Sequence, residues 1–142
     1  LSPHPAYVLD RLSCMVAANP EGLALYDGFA GLPQRQRNTC RYLLTDPRAR
    51  VTFIEWEDLA RGAVAHLRAA NADNLRDPEL QSLVAELSAA STMFEEWWNG
   101  HLVARRRTAV AQLRLPGGVV ARRHEVLYLP EDGLRATVWL DT

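Results

Sequence analysis

Three consecutive arginines, Arg105, Arg106 and Arg107, are the most informative group of candidate binding residues in the chain. A guanidinium group binds a carboxylate through two parallel hydrogen bonds, and a buried arginine needs an anion because an unpaired charge away from water is costly. Arg105 and Arg107 lie in strand phase with Ala109 and Leu113, whose side chains suit a covered face. We therefore expect Arg107 to point inward, towards Glu, Asp or a ligand carboxylate. The other two charges should be hydrated at a strand end.

Immediately before these arginines, Phe94, Trp97, Trp98 and His101 occur at positions i, i+3, i+4 and i+7. This spacing predicts a helix with a broad aromatic face, which must be buried. The face either fills the core or lines a ligand cavity. His101 is either a hydrogen-bond partner or pH sensor for a ligand head group, or a satisfied core or cap residue. Trp97 and Trp98 are about 100° apart around a helix, so one should face the sheet and the other a neighbouring helix or a partner chain.

Local signals predict the ends of this helix and the start of the next element. Thr92 and Glu95 have the spacing of a capping box, in which each side chain accepts a backbone N–H hydrogen bond at the helix start. Gly100 favours a helix end near His101, because glycine is poor inside helices and common just after them. The period then changes to two residues, which predicts a strand over residues 103–115.

Similar signals predict the other elements. Two short apolar runs predict a β-hairpin over residues 6–18. Helix starts are indicated where asparagine or aspartate precedes proline, at residues 19–20, 46–47 and 77–78. Two apolar stripes at helical spacing follow, formed by Trp56, Leu59, Ala60, Ala63, Val64 and Leu67 and by Leu80, Leu83, Val84 and Leu87.

Three strands should end the chain, because turn signals at residues 116–118 and 131–133 separate segments of alternating polarity. In the last segment, Leu134, Ala136, Val138 and Leu140 alternate with Arg135, Thr137, Trp139 and Asp141. Strands from both ends of the chain can join in one sheet. The predicted fold class is α+β, with a PAS-like five-stranded antiparallel sheet and a helical middle segment covering one face. Such a helical layer leaves a natural hollow above the sheet.

The overall composition excludes several classes of protein. The 142 residues fit one domain over residues 1–142, and 48% hydrophobic content excludes a mainly disordered tail. A formal net charge of −1 is unlike that of a self-sufficient nucleic-acid binder. No apolar run approaches the roughly 20 residues of a membrane helix. Cys14 and Cys40 do not make a disulfide framework, and no signal-peptide pattern is present. We therefore expect a cytoplasmic protein without membrane association.

Catalytic and metal-binding motifs are not recognised in the sequence. His4, His66 and His124 have no spacing to each other, or to the cysteines, that resembles a metal-ligand set. No nucleophile elbow, phosphate-binding glycine loop or paired-carboxylate motif is found. We therefore expect no metal, no cofactor and no enzymatic activity.

Four segments resemble the ligand-binding domain of the MmyB-like transcription regulators, a bacterial family. They are PAYVLDR at residues 5–11, RN at residues 37–38 followed by LLTDPRAR at residues 43–50, EWEDLAR at residues 55–61, and LVAELSAASTMFEEWW at residues 83–98. Family members carry an N-terminal helix-turn-helix of the XRE type before this PAS-like domain, for which a fatty-acid ligand has been proposed. The resemblance implies effector sensing coupled to DNA binding through a helix-turn-helix domain upstream of Leu1.

The sequence departs from the family pattern at two places. Residues 17–19 read Ala-Ala-Asn where the family usually has alanine-tryptophan-asparagine, so the pocket should be wider near the second strand. Residues 115–118 read Leu-Pro-Gly-Gly where the family tends towards histidine-proline and a longer turn. The identity of the ligand is therefore not carried over from the family.

The leading hypothesis is an effector-sensing domain that binds a small, largely apolar ligand, such as a fatty acid, between the helices and the sheet. Apolar burial would supply most of the affinity, at about 0.8 kcal/mol per methylene. The expected ligand-binding residues are Phe53, Trp56, Leu59, Leu87, Phe94, Trp97, His101, Arg107 and Val110. The alternative is a ligand-free dimerisation or protein-interaction module, in which Trp139 and an outward Trp97 or Trp98 form an exposed patch. A homodimer is compatible with both hypotheses.

Overall fold

Strands from the two ends of the chain form one sheet in the computed structural model, which describes residues 4–100 and 110–142. The strands are β1 (Ala6–Leu9), β2 (Met15–Ala18), β3 (Val110–Leu115), β4 (Gly118–Leu129) and β5 (Leu134–Asp141). They are arranged in the order β2-β1-β5-β4-β3, and each neighbouring pair is antiparallel. The predicted α+β class with a PAS-like five-stranded antiparallel sheet is confirmed.

The chain between β2 and β3 forms the helical layer. Its helices are α1 (Pro20–Ala24), α2 (Thr39–Thr45), α3 (Arg48–Thr52), α4 (Trp56–Ala70), α5 (Pro78–Ala90) and α6 (Thr92–Asn99). Short 3-10 segments occur at Phe29–Gly31, Gln34–Gln36 and Pro130–Asp132. Helix α4 contacts both α2 and α6, so the helices pack against one another as well as on the sheet.

Side-chain caps stabilise helix starts at two of the predicted sites. Asn19 Oδ1 accepts a hydrogen bond from the N–H of Gly22 at 2.7 Å, and Asp77 Oδ2 accepts one from Leu80 at 3.0 Å. Each bond satisfies an N–H group that has no partner within the helix itself. The proline that follows each cap fits the first helical position because its nitrogen carries no hydrogen.

The predicted capping box of Thr92 and Glu95 is wrong, because the helix begins one residue earlier than that box requires. Ser91 Oγ accepts the N–H of Phe94 at 3.1 Å, and Ser91 has the extended backbone that an N-cap requires. Thr92 is already the first helical residue, so its hydroxyl group cannot cap the helix in the same way. The helix ends at Asn99. His101 and the predicted strand residues 103–109 lie outside the described residues.

The helical layer packs large apolar side chains on one side of the sheet. Val64 and Leu67 of α4 and Leu87 of α5 are completely buried. Trp56 Nε1 donates a hydrogen bond to the carbonyl oxygen of Leu43 at 2.7 Å and thereby joins α4 to α2. The helical stripes predicted from residue spacing therefore face the core.

In strand β5, the alternate residues that include its polar side chains point towards the helices. Arg135, Thr137 and Trp139 are 5%, 3% and 0% exposed. The apolar residues that alternate with them, from Leu134 to Leu140, are only half-buried on the other side of the sheet. We call these two sides the covered face and the open face. A buried cation therefore lies on the face that the helices cover.

Candidate functional site

A narrow cleft separates α4 from the covered face of the sheet. Its apolar wall residues are Leu9, Leu43, Leu59, Gly62, Ala63 and Val126, and its polar ones are Tyr7, Tyr26, Thr39, His66, His124, Arg135 and Thr137. The free volume of the cleft is about 30 Å³, which is enough for about one or two water molecules. The cleft is thus nearly closed in this structure, although its walls combine apolar surface with hydrogen-bonding groups.

Arg135 places a guanidinium group in the wall of the cleft. Its neighbours in the sheet register are Leu9 on β1 and Tyr128 on β4. Arg135 Nη2 donates a hydrogen bond to Ser13 Oγ at 3.0 Å. Among residues 4–100 and 110–142, no carboxylate forms an ion pair with it. Burial lowers the pKa of Arg135 from its usual value, yet an arginine remains protonated at neutral pH. The cleft therefore contains a buried positive charge that no described acid neutralises.

The turn between β1 and β2 fixes the position of Ser13. Ser13 has a φ of 73°, in the left-handed region that side chains other than glycine rarely adopt. Asp10 Oδ1 holds the turn by accepting the N–H groups of Leu12 and Cys14 at 3.0 and 2.9 Å. The Ser13 carbonyl accepts the N–H and the hydroxyl of Thr39 at 2.8 and 3.0 Å. These bonds tie the turn to α2 and hold the Ser13 hydroxyl against Arg135.

Tyr7 and Tyr26 place a pair of hydroxyl groups in the same wall. Their oxygens are 2.9 Å apart, and Trp139 Nε1 donates a hydrogen bond to the Tyr7 oxygen at 3.2 Å. Only one hydroxyl proton can lie between the two oxygens, so the pair keeps one further O–H group to donate. Burial raises the pKa of both phenols above the usual value of 10.0. Both tyrosines are therefore neutral hydrogen-bond donors at physiological pH.

A hydrogen bond between His66 Nδ1 and the Tyr128 hydroxyl connects α4 with β4 beside the cleft. The two ring centroids are 5.6 Å apart. Tyr128 is 53% exposed, so this contact lies at the surface and not in the core. It is one of the contacts that must break if α4 separates from the sheet.

Of the predicted ligand-binding residues that the structure describes, Leu59 lines this cleft. The others on the helices and before α4 belong to the hydrophobic core instead, namely Phe53, Trp56, Leu87, Phe94 and Trp97. Aromatic contacts account for this placement: Trp139 stacks on Phe53 with centroids 6.0 Å apart, and Trp98 stacks on Phe94 at 5.8 Å. Contact of these residues with a ligand stays a prediction.

The predictions for β3 and the residues before it have mixed outcomes. Leu113 is completely buried, so its predicted place on the covered face is confirmed. Val110 lies on the open face and is 45% exposed, because side chains three positions apart in a strand point to opposite sides. The placement of Val110 beneath the helices is therefore wrong. His101 and Arg107 lie outside the described residues, and the inward orientation of Arg107 stays a prediction.

Sequence reasoning missed Arg135, which the structure places in the cleft. Its alternation with Leu134 and Ala136 resembles an ordinary strand with a polar, solvated side. One available signal was Trp139, which shares the phase of Arg135 and is the bulkiest side chain of the strand. A large aromatic group on the seemingly polar side indicates that this side is the buried one.

The exposed tryptophan patch that the alternative hypothesis predicted is not formed. Trp139, Trp97 and Trp98 are all buried. The Arg61 guanidinium lies 4.9 Å from the Trp97 ring centroid, and that of Arg68 lies 5.0 Å from the Trp98 ring. Both indoles of α6 therefore contact arginines of α4, a neighbouring helix, and the outward indole of the ligand-free alternative is wrong.

The described part of the chain offers little to other kinds of site. Within it, no group of three or more His, Cys, Asp or Glu residues is placed to hold a metal ion. None of its helices combines the length and apolar character needed to cross a bilayer. Cys14 and Cys40 are free thiols, and burial raises the pKa of Cys40 to about 12. That thiol is therefore protonated and unreactive.

A comparison with known protein families shows the family to which the chain belongs. A family model described as "MmyB-like transcription regulator ligand binding domain" matches residues 1–140. No curated protein matches the chain. The four segments that carry the sequence resemblance all fall inside the matched range. The chain therefore belongs to the family of MmyB-like transcription regulator ligand-binding domains.

Proposed function

We propose that this domain senses a small, largely apolar effector in the cleft between α4 and the covered face, with a fatty acid as the leading candidate. The observation that carries the proposal is the cleft itself, because it lies between two separable layers and has apolar walls. Leu43, Leu59 and Val126 provide surface against which an acyl chain can pack. The family is a regulatory ligand-binding family, and we propose no catalytic role.

An acyl ligand has to open the cleft in order to bind. The free volume of about 30 Å³ is well below the roughly 300–1,000 Å³ of ordinary ligand pockets. Burial of each methylene contributes about 0.8 kcal/mol, so a chain of about ten methylenes gains roughly 8 kcal/mol. This gain offsets the separation of α4 from the sheet, including loss of the His66–Tyr128 hydrogen bond. In this proposal the cleft is wider when the acid is bound than in the structure described above.

Coupling to DNA binding follows if the effector prefers the state in which α4 is separated from the sheet. A ligand shifts an equilibrium only by its difference in affinity for the two states. Helix α4 contacts α2 and α6, so its displacement disturbs the whole helical layer. Strand β1 lines the cleft through Tyr7 and Leu9. It is also the first strand of the chain, so a change in the cleft reaches the side where a helix-turn-helix domain would be attached.

Binding of octanoate, dodecanoate and palmitate to the 142-residue chain, followed by native mass spectrometry and thermal shift, tests this proposal. We expect at least one acid to bind with a stoichiometry of one and to raise the melting temperature. Ala63→Leu fills the cleft from α4 and should abolish this stabilisation. Ala69→Leu makes the same change at an exposed position of α4 and should retain it. Absence of binding, or unchanged binding by Ala63→Leu, contradicts the proposal.

A second candidate role, self-association with another copy of this chain, is favoured by the open face. Leu127 is 67% exposed, and Leu129 and Val119 are exposed as well. Arg123 and Glu125 form an ion pair at 3.5 Å on the same face. Two-fold symmetry would bring Arg123 of one copy to Glu125 of the other, so this surface is complementary to itself.

Light scattering after size exclusion tests the second role. The wild-type chain should be a dimer, and Leu127→Glu should convert it into a monomer by placing a charge in the apolar contact. Ala69→Glu on the exposed side of α4 serves as the control and should leave the dimer intact. A wild-type chain that is monomeric at high micromolar concentration contradicts self-association.

A further inference from the structure

We infer that the domain has a second binding site, separate from the cleft, for a short peptide with a free amino end and a free carboxyl end. The site is a pocket between α1 and the covered face, at the end of the sheet where β1 begins and β5 ends. Its free volume is about 570 Å³, which lies within the roughly 300–1,000 Å³ of ordinary ligand pockets. It shares no lining residue with the cleft, so the inference does not depend on the proposed function.

Both layers contribute apolar surface to this pocket. Leu25, just after α1, and Pro5, just before β1, line it and are buried. Leu115 lines it from β3 and is half-buried. Leu115 is two positions from the buried Leu113 and therefore points to the covered face as well. The pocket is thus suited to an aliphatic side chain of a ligand, which gains free energy when it leaves water.

Acidic groups lie on the α1 side of the pocket. Glu21 belongs to α1 and is half-buried, and Asp27 follows that helix. Asp27 has a partner in Arg48 at 3.5 Å, whereas Glu21 forms no ion pair with any described residue. Helix α1 contacts β1 and β2, so the Glu21 carboxylate lies towards those strands. An ammonium group of a ligand would neutralise it at this end of the pocket.

Two arginines line the pocket from the other side of the sheet. Arg122 is on β4 and Arg114 on β3, whereas α1 lies against β1 and β2. Arg122 already pairs with Asp141 at 3.5 Å. Arg114 Nε donates to the carbonyl oxygen of Val51 at 3.3 Å, and no carboxylate in the described part of the chain pairs with Arg114. Its two Nη groups therefore remain available to bind a ligand carboxylate bidentately.

The separation of these charges indicates the length of the ligand. Adjacent strands are about 4.8 Å apart, so β4 lies about 10 Å from β1 in the order β1-β5-β4. An extended peptide spans at most about 3.3–3.6 Å per residue, so three residues reach about 10 Å.

The charges of a free peptide match those of the pocket. At neutral pH such a peptide carries an ammonium group at one end and a carboxylate at the other. It can therefore neutralise both Glu21 and Arg114, whereas a fatty acid or a phosphate supplies only the negative charge. A peptide of about three residues with an aliphatic middle residue thus fits the pocket better than a simple anion does.

Calorimetric titration of the 142-residue chain with the tripeptide Ala-Leu-Ala tests the inference. Its N-acetyl derivative lacks the ammonium group, and its C-terminal amide lacks the carboxylate. We expect the free tripeptide to bind about tenfold more tightly than either derivative, as the loss of one charged hydrogen bond implies. Glu21→Gln should bind the free and acetylated peptides equally, and Arg114→Gln should bind the free and amidated peptides equally.

Matched variants control for changes of charge and of volume. Glu96→Gln and Arg76→Gln make the same replacements at exposed positions outside the pocket and should keep the wild-type preferences. Ala24→Leu narrows the pocket from α1 and should abolish binding of the tripeptide. Ala69→Leu, at an exposed position of α4, should retain it.

Several outcomes overturn the inference. They are failure of the wild-type chain to bind the tripeptide, equal affinities for the free peptide and its derivatives, an unchanged preference in Glu21→Gln or in Arg114→Gln, and unchanged binding by Ala24→Leu. Each of them leaves the proposed sensing of a fatty acid intact, because that ligand and its cleft are tested separately. Glu21 and Arg114 are not buried, so both variants are expected to fold.

Discussion

The two faces of the sheet differ from the usual arrangement, in which the apolar side of a strand is buried and the polar side is exposed. On the covered face, β5 contributes Arg135, Thr137 and Trp139, which are among the least exposed residues of the chain. On the open face, the apolar residues from Leu134 to Leu140 stay half-buried. The comparison teaches that alternation identifies a strand without identifying its buried side. Neighbouring elements decide that, and here they bury the side that carries Arg135 and Thr137.

The neighbours of β5 show the same contrast. Tyr7 and His124 pair with β5 on the covered face, where they meet Thr137 and Trp139. Leu127 and Leu129 pair with Ala136 and Leu134 on the open face and remain exposed. The covered face thus carries a cation and hydroxyl groups, whereas the open face carries a solvent-exposed apolar surface. In the proposed functions, the first face binds the effector and the second binds another copy of the chain.

The largest expected difference between the faces is in packing energy. Trp139→Ala removes a completely buried ring that stacks on Phe53 at 6.0 Å and lies 4.4 Å from the His124 ring centroid. We expect urea denaturation to show a loss of about 3–5 kcal/mol in the free energy of unfolding. Leu140→Ala, the adjacent change on the open face, should cost about 1 kcal/mol or less. Equal losses for both variants would show that the two faces do not differ in packing energy.

A smaller difference in the free energy of unfolding is expected when a hydroxyl group is removed from the centre or from the edge of the covered face. Tyr7→Phe removes the acceptor of the Trp139 Nε1 hydrogen bond and leaves a buried N–H group unpaired. This should cost about 1–3 kcal/mol. Tyr128→Phe removes an exposed hydroxyl group and should change stability by about 0.5 kcal/mol at most. If the two variants are equally stable, the buried tyrosine pair contributes nothing to the fold.

The smallest expected effect on stability concerns Arg41, a surface arginine. It has an acidic partner, whereas Arg135 has none among the described residues. Arg41 Nη2 lies 2.9 Å from Glu86 Oε1, and this contact holds the pKa of Glu86 below its usual value of 4.5. The folded-state pKa is depressed, so the stabilisation is present above about pH 4.5 and is lost as the pH falls through the lowered pKa.

Thermal melts across the acid range check this prediction. Glu86→Gln should weaken the fall of the melting temperature with decreasing pH, although an exposed pair contributes only a few tenths of a kcal/mol. Arg135→Met should leave this pH dependence unchanged, because no described carboxylate is paired with Arg135. A flatter acid profile in Arg135→Met would reveal a hidden acidic partner.

The sequence predicted the fold better than the site, for physical reasons. Caps at Asn19 and Asp77 and the helical stripe of α4 are local signals, which depend on a few adjacent residues. The cleft instead joins Tyr26, Thr39 and Arg135, which are far apart in sequence and meet only through sheet register and helix packing. No short-range pattern specifies such a meeting.

The size of a side chain was a poor guide to the residues that line the cleft. Aromatic and large apolar residues such as Phe94 were expected to line a hollow, but large rings fill space well and became the core. Small residues, Gly62 and Ala63 among them, are those that leave room beside α4. A buried arginine on the same wall was hidden by the ordinary alternation of β5. The informative signals were therefore the small residues Gly62 and Ala63 of α4 and the charged Arg135 on the side of β5 that also carries Trp139.

A crystal structure of the chain with dodecanoate is the most direct test of the central claim, that the cleft between α4 and the covered face binds a largely apolar effector. The account predicts that the acyl chain lies between α4 and β4, with the His66–Tyr128 contact broken. Dodecanoate bound on the open face, or in the core outside this cleft, would contradict it.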